Sequence, residues 1–405
     1  MPGSAKETVW QALDEYIHSQ AKALKELNHS IHDHPELAYK EHHAHNAICD
    51  FLEQLGISVT RHAYGLSTAF EATSGSNGRC INFNAEYDAL PGIGHACGHN
   101  LIATASVTGF IALSYVIQKF GLPGRAQLLG TPAEEDGGGK IDLLEAGAYE
   151  KANVSLMMHP MAESEFLKLG ARGIAGRTSI ACYDVIGAYE GVSAHASAAP
   201  WEGVNALDAV VAAYNNISML RQQIQPTDRI HGAILNAPDI TNAIPEKVQT
   251  KYTIRSPTIQ GAKALGQRVR QCLEAGALAT GCKIQFEETK AYANLVVNQP
   301  LCEEFRDHSI AQEEKMLVAD DVPMSGSTDQ GNVSHALPSL HALIGIPATA
   351  QNHTHEFTAA AASEESFQRT LKSGKSMAMT GWALLTDEHL YTRVIQDFEK
   401  NQGNQ

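Results

Sequence analysis

The chain has 405 residues, 43% of them hydrophobic and 19% charged, which is enough for one large domain or two ordinary ones and too apolar for a mainly disordered chain. Against 30 Lys plus Arg stand 45 Asp plus Glu, a formal net charge of -15 with no basic patch to offset it, so nucleic acid and anionic membranes are poor partners. The 7 cysteines form no CxxC pair and are odd in number, and Lys6, Glu7, Asp14 and Glu15 stand where a secretory signal needs an apolar stretch, so a reducing cytoplasm is the expected compartment.

Helical spacing over 6–55 predicts two helices around a loop at 32–36, with Leu24, Leu27 and Ile31 on one stripe. Strands are expected at 57–62, 68–72 and 80–86, then a buried helix at 101–117, a strand at 126–131, a short helix after Lys140 and a strand at 154–158. The run 101–117 is interrupted by Thr104, Ser106, Thr108 and Ser114 and falls short of the about 20 apolar residues of a bilayer span. Its small residues, Ala103, Ala105, Gly109 and Ala112, suit close packing inside a core. Strands alternating with helices predict an α/β fold, a mostly parallel sheet sandwiched by helices.

Past 182 the pattern changes to strand 183–190, helix 203–221, strands 230–236 and 248–256, helix 260–279 and strand 283–288. This β-α-β-β-α-β order is ferredoxin-like and makes a self-contained domain of roughly 100 residues. From 293 onward the alternation resumes with helix 299–314, strand 341–346 and one long helix over 360–385. The expected organisation is a discontinuous catalytic, metal-binding domain, 1–182 and 293–405, carrying an inserted domain at 183–292.

Glu86 and Asp88 close one strand and are followed by Cys97 and His99, each pair at i and i+2, a spacing that aims both side chains the same way from extended backbone. The strand ending at Thr131 leads into Glu134, Glu135 and Asp136, adjacent carboxylates that repel unless a cation or a proton neutralises one. The strand at 154–158 ends in His159, and a loop after 346 carries His353 and His355, between which spacing does not choose. Four strand ends that each deliver Cys, His or Glu point to a polynuclear metal site at the sheet's carboxyl edge. Glycines 137–139 before Lys140 lack the leading glycine and the Ser or Thr of a phosphate loop.

One thiolate, three imidazoles and a carboxylate suit zinc, with manganese less natural for sulfur. Five ligands exceed one tetrahedral ion with an open position, so two divalent ions about 3.5–4 Å apart sharing a water are expected. Glu135 is then expected to be a ligand, and Glu134 the carboxylate that takes the water's proton.

These residues lie in motifs that resemble the peptidase M-twenty family of two-metal amidohydrolases: HPELAYKE at 34–41, NAEYDALPGIGHACGHN at 84–100, PAEEDGGGK at 132–140, MMHP at 157–160, SAHASAAPWEGVNALDA at 193–209 and GSTDQGNVSH at 326–335. The similarity covers nearly the whole chain and is nearest the branch of peptidase M-twenty domain-containing protein two, whose members act on dipeptides with a basic residue such as β-alanyl-lysine. It implies a two-metal aminopeptidase-like catalytic domain, with metal ligands Cys97, His99, Glu135, His159 and His353, the last placed four residues before Phe357. It also implies Glu134 as general base and Asp88 and Glu86 as orienting carboxylates.

The inserted domain is implied to be a lid and dimerisation domain. Its His195 would reach the active site of the partner subunit in a homodimer and stabilise the oxyanion, Asn242 and Arg255 would bind substrate, and Asp329 would recognise a cationic side chain. The expected function is metal-dependent hydrolysis of an amide bond in a dipeptide or N-acyl amino acid, with zinc as the ion and manganese or cobalt as substitutes. A non-catalytic metal-binding protein of the same fold and an amidase acting on a specialised metabolite are the alternatives.

Overall fold

The computed structural model describes residues 5–319 and 324–402. The chain divides into two compact units, one holding the residues up to Thr178, Leu295–Met324 and those from Thr328, the other Ser179–Asn294 with Ser325–Ser327. These cuts differ from the expected boundaries after 182 and 292. Ser325–Ser327 falls in the smaller unit because Ile180 N–H donates to the Gly326 carbonyl at 3.3 Å and Ser327 Oγ donates to the Ile180 carbonyl at 2.6 Å.

The larger unit is built on an eight-stranded sheet. From edge to edge its strands are Val59–Arg61, Phe70–Ser76, Gly124–Gly130, Cys80–Ala85, Val154–Ala162, Ser339–Ile346, Gly173–Gly176 and Met316–Ala319. The middle four, Gly124–Gly130 through Ser339–Ile346, run parallel, and antiparallel pairs occur only towards the edges. Residues that alternate along a strand feed opposite faces: Leu128 joins the main core with Phe83 and Phe110, whereas Leu129 joins a second cluster with Leu143 and Val333. Helices therefore cover both faces.

The expected apolar helix is His99–Phe120, buried in that core between the sheet and the helices Ala5–Asp33 and Glu364–Thr386. It is long and apolar enough to cross a membrane, but 94% of its apolar window lies inside the protein. A Cβ at Gly109 would stand 2.7 Å from the Phe83 ring, so only glycine lets this helix lie so close to the strand beneath.

Three features depart from the expected elements. The strand at 154–158 continues to Ala162 and so carries His159 and Pro160 inside it. Its pairing with Cys80–Ala85 stops at Leu156, while pairing with Ser339–Ile346 persists to Ala162, so the proline lies where one side of the strand has no ladder partner. The single final helix is three, His355–Ala361, Glu364–Thr386 and Glu388–Gln402, because Ser363 Oγ accepts the Ser366 N–H at the start of the second and Asp387 Oδ1 accepts the His389 and Leu390 N–H groups at the start of the third. The short strands Gly173–Gly176 and Met316–Ala319 carry too few residues to show a period.

The smaller unit has a four-stranded antiparallel sheet in the order Lys283–Glu288, Ala181–Glu190, Lys247–Ser256, Arg229–Leu235. Its helices Ala206–Leu220 and Ile259–Thr280 pack on one face over Val185, Tyr189, Tyr252 and Ile254. The connection order is the ferredoxin-like one.

Candidate metal centre

The four parallel strands deliver their carboxyl ends to one edge of the larger unit, where a doubly covered sheet places its ligands. Beyond Ala85 the backbone turns through Glu86 and Asp88, both fully buried. Asp88 joins two loops: one carboxylate oxygen accepts the His99 Nδ1–H at 3.0 Å, and the other accepts the Glu135 backbone N–H at 2.9 Å. His99 is thereby held in the tautomer that turns Nε2 inward.

Gly98, with φ of +78°, separates Cys97 from His99 at the start of the apolar helix, and a Cβ there would come within 2.6 Å of Pro160 Cγ. The close approach brings Cys97 Sγ to 3.4 Å from His159 Nε2. The other His159 nitrogen, Nδ1, donates to the Pro160 carbonyl at 2.9 Å.

Glu134 and Glu135 follow Ala133, a non-glycine residue at φ +60°, and His353 itself has φ +67°. Left-handed backbone at two non-glycine residues is strain of the kind that collects at functional sites. The loop carrying His353 is tied by its N–H to the Ala96 carbonyl at 2.8 Å and by Asn352 to the Pro160 carbonyl at 3.1 Å. His353 Nε2 lies 3.3 Å from Glu135 Oε1. His353, not His355, is brought to the carboxylates: His355 opens the next helix, which Thr354 caps.

Ligand atoms lie within 4.8 Å of one another in three groups, Cys97 with His99 and His159, Cys97 with Glu135 and His353, and Glu86 with His99 and Glu134. Cys97 is common to the first two groups and His99 to the first and third. Glu86, expected to act from behind the ligands, comes within ligand reach itself.

Two residues correct or extend the sequence reading. Asp329, expected to meet a cationic substrate, is fully buried, and its oxygens accept from Lys140 Nζ at 2.6 Å and from the Lys140 N–H at 2.8 Å. Lys140, passed over as part of a failed phosphate loop, is itself fully buried and also lies 2.5 Å from Glu86 Oε1. The cation that Asp329 meets belongs to the chain.

The electrostatics separate the two adjacent carboxylates. Burial, then the charges of Glu86 and Glu135, push Glu134 well above the usual carboxylate range. Burial would also raise Glu135, but the His353 hydrogen bond and the His99 charge outweigh it and hold Glu135 low. Burial lowers His159 to about 4 and raises the Cys97 thiol far above its ordinary value.

The residues fit a metal centre on more than composition. His99 Nε2 and Glu86 Oε2 are buried without a hydrogen-bond partner, and such atoms are costly unless something in the site engages them. Soft sulfur and imidazole beside carboxylate are donors that first-row divalent ions take.

In the smaller unit, His195 is exposed and its Nδ1 accepts the N–H groups of Ser197 and Ala198 at 3.3 and 3.2 Å, which leaves Nε2 as the N–H donor. Asn242 is exposed beside it, its carbonyl accepting the Ala196 N–H at 3.0 Å. Arg255 reaches His231 and Ser327 Oγ, each at 3.3 Å.

An α/β sheet whose carboxyl edge gathers Cys, His and Glu in this way defines a candidate metal-binding α/β protein. The pattern of peptidase family M20/M25/M40 matches residues 82–379, and the chain belongs to this family. It is 40% identical over 401 residues to the Xaa-Arg dipeptidase of Mus musculus, covering 95% of this chain and 91% of that protein, and 38% identical over 411 residues to the Xaa-Arg dipeptidase of Homo sapiens, with the same coverage. Its fold is similar to a Bacillus subtilis M20 peptidase described as dinuclear metal binding, at 18% identity and a TM-score of 0.64 over 91% of this chain and 99% of that one. The aminobenzoyl-glutamate utilization protein of Klebsiella pneumoniae gives a TM-score of 0.69 at 17% identity, over 91% and 98% of the two chains. The protein is an enzyme, and its chemistry is metal-dependent amide hydrolysis.

Proposed function

We propose that the enzyme hydrolyses the amide bond of dipeptides that carry a basic residue, with Glu134 moving the proton. The observation that carries this reading is the position of Glu134, a buried carboxylate that lies 3.9 Å from His99 Nε2 and within reach of the same donor cluster as Glu86 and His99. Hydrolysis adds water across the C–N bond, so one group must take a proton from the water and return it to the leaving amine. Glu134 is suited to both steps, while Glu135 stays ionised as a ligand with Cys97, His99, His159 and His353. Two ions, zinc on the donor chemistry, would polarise the carbonyl and acidify water when bound.

His195, Asn242 and Arg255 would act on the substrate: His195 Nε2–H at the developing oxyanion, Asn242 as a polar contact and Arg255 as the planar partner of a carboxylate. The named activity of the mouse and human relatives and the acidic net charge both support a basic substrate. A homodimer is supported by the outer edge of strand Arg229–Leu235, which among the described residues pairs only with Lys247–Ser256, and by exposed Tyr214 and Met219 in the smaller unit. An odd number of cysteines, 7, with no CxxC pair supports a cytoplasmic location.

The test is amine release from β-alanyl-lysine, Xaa-Arg dipeptides and N-acyl amino acids, after chelation and after adding back zinc, manganese or cobalt. We expect chelation to abolish cleavage of the basic dipeptides and zinc to restore it. Chelator-resistant turnover, or turnover confined to N-acyl amino acids, overturns the mechanism or the substrate class respectively. If His195 acts across a dimer, mixing inactive His195→Ala with inactive Glu134→Gln restores activity, because one chain of each mixed dimer has both an intact base and an intact His195 from its partner. No recovery after confirmed subunit exchange rules this out.

A further inference from the structure

The segment just before the second helix contains a carboxylate with no place in the chemistry above. Glu41 is fully buried and precedes the helix His42–Gln54. Its Oε1 accepts two backbone N–H groups, from Tyr39 at 3.0 Å and from Ala133 at 2.8 Å, the latter 92 residues away in the chain. Ala133 is the residue at φ +60° immediately before Glu134. Left-handed backbone is disfavoured for alanine, so the turn persists only where its surroundings over-determine it. A second bond secures the same turn, since the Ala133 carbonyl accepts the Gly138 N–H at 2.9 Å.

The neighbours of Glu41 reinforce this arrangement. The Tyr39 hydroxyl meets Asp142 at 2.6 Å and the Gly137 carbonyl at 3.0 Å, at the far end of the glutamate loop. The Glu36 carbonyl accepts the Ala89 N–H at 2.8 Å, next to Asp88. One stretch of six residues thus straps both loops that carry the carboxylates.

We propose that Glu41 is a positioning residue for Glu134: by holding the Ala133 N–H it fixes the left-handed turn that aims the Glu134 carboxylate. This rests on Glu134 as the base. Displacing a reacting group by about 1 Å can cost about 100-fold, so Glu41→Ala should lower kcat about 10- to 100-fold with KM and bound metal unchanged. Burial, then the charge of Asp88, raises the Glu41 carboxyl to about 7, so a neutral amide of the same length is a close substitute. Glu41→Gln should therefore keep kcat within about threefold, its amide oxygen accepting the same two N–H groups. Glu41→Asp is one methylene too short to reach Ala133 and should behave like Ala.

The deciding measurement is steady-state kinetics with metal content, by mass spectrometry, on Glu41→Ala, Glu41→Gln and Glu41→Asp, each alone and with Glu134→Gln. In the Glu134→Gln background the loss from Glu41→Ala or Glu41→Asp should vanish, because the group being aimed no longer accepts a proton. Wild-type kcat in Glu41→Asp, a loss traced to missing metal, or an undiminished loss in the Glu134→Gln background would each overturn the proposal. If Glu41→Ala does not fold, the Gln and Asp variants still decide it. Failure of the underlying reading looks different, as Glu134→Gln would then itself turn over normally.

Discussion

Glu134→Gln lowers kcat about 10²- to 10⁴-fold, the range attributable to a positioned proton acceptor, while the bound metal stays as in the wild type. The substitution is nearly isosteric and removes only the capacity to take a proton, so the fold and the ligand groups of Cys97, His99, Glu135, His159 and His353 are left in place. It also removes one buried carboxylate from beside Glu86 and Glu135, whose charges push Glu134 up, so the variant should be no less stable than the wild type. Metal analysis, kcat and a melting curve on one preparation check all three statements. Activity within threefold of wild type, with metal bound, would remove Glu134 from the role of base.

Lys140→Met costs about 3–5 kcal/mol of stability, the penalty for leaving buried charges without their partner. Lys140 lies between Glu86 and Asp329 with all three side chains shielded from water. Burial would lower the lysine, but the charges of Asp329 and Glu86 outweigh it and hold the ammonium protonated. Without it, two carboxylates share a dry pocket and one of them must take up a proton. Asp329→Asn in the Lys140→Met background should regain part of the loss, since it removes one of the two orphaned charges. Urea unfolding of the metal-free protein measures both variants. A loss below about 1 kcal/mol would mean that the triad is solvated and that Lys140 contributes little.

Much of the candidate site is legible in the primary structure because its donor residues sit in short motifs. Cys97 and His99 are two residues apart, and Glu134 and Glu135 are adjacent and directly follow an apolar strand, so local geometry and strand polarity are enough to nominate them. The alternation of strands and helices is legible for the same reason, since hydrophobic period is a local property. The continuation of a strand through Pro160 and the break at Ser363 escape such reasoning. The first depends on which side of the strand lacks a partner and the second on a single cap.

The residues misread or missed are those whose meaning is a long-range contact. Asp329 reads as a free acid until Lys140, 189 residues earlier, is found on both its oxygens. Glu41 closes the motif at 34–41 without any role the sequence suggests, until its carboxylate is seen on the Ala133 N–H. His353 and His355 are equivalent by spacing, and only the loop's ties to Ala96 and Pro160 turn the first towards Glu135.

The amino-acid sequence by itself thus determined the α/β class, the ferredoxin-like insertion and the inventory of donors, because each follows from periodicity or from neighbours in the chain. Tertiary structure alone decided which donors share a centre, which carboxylate ends up paired with a lysine and which backbone is held in strain. Those outcomes depend on burial and charge between segments brought together only when the sheet has formed.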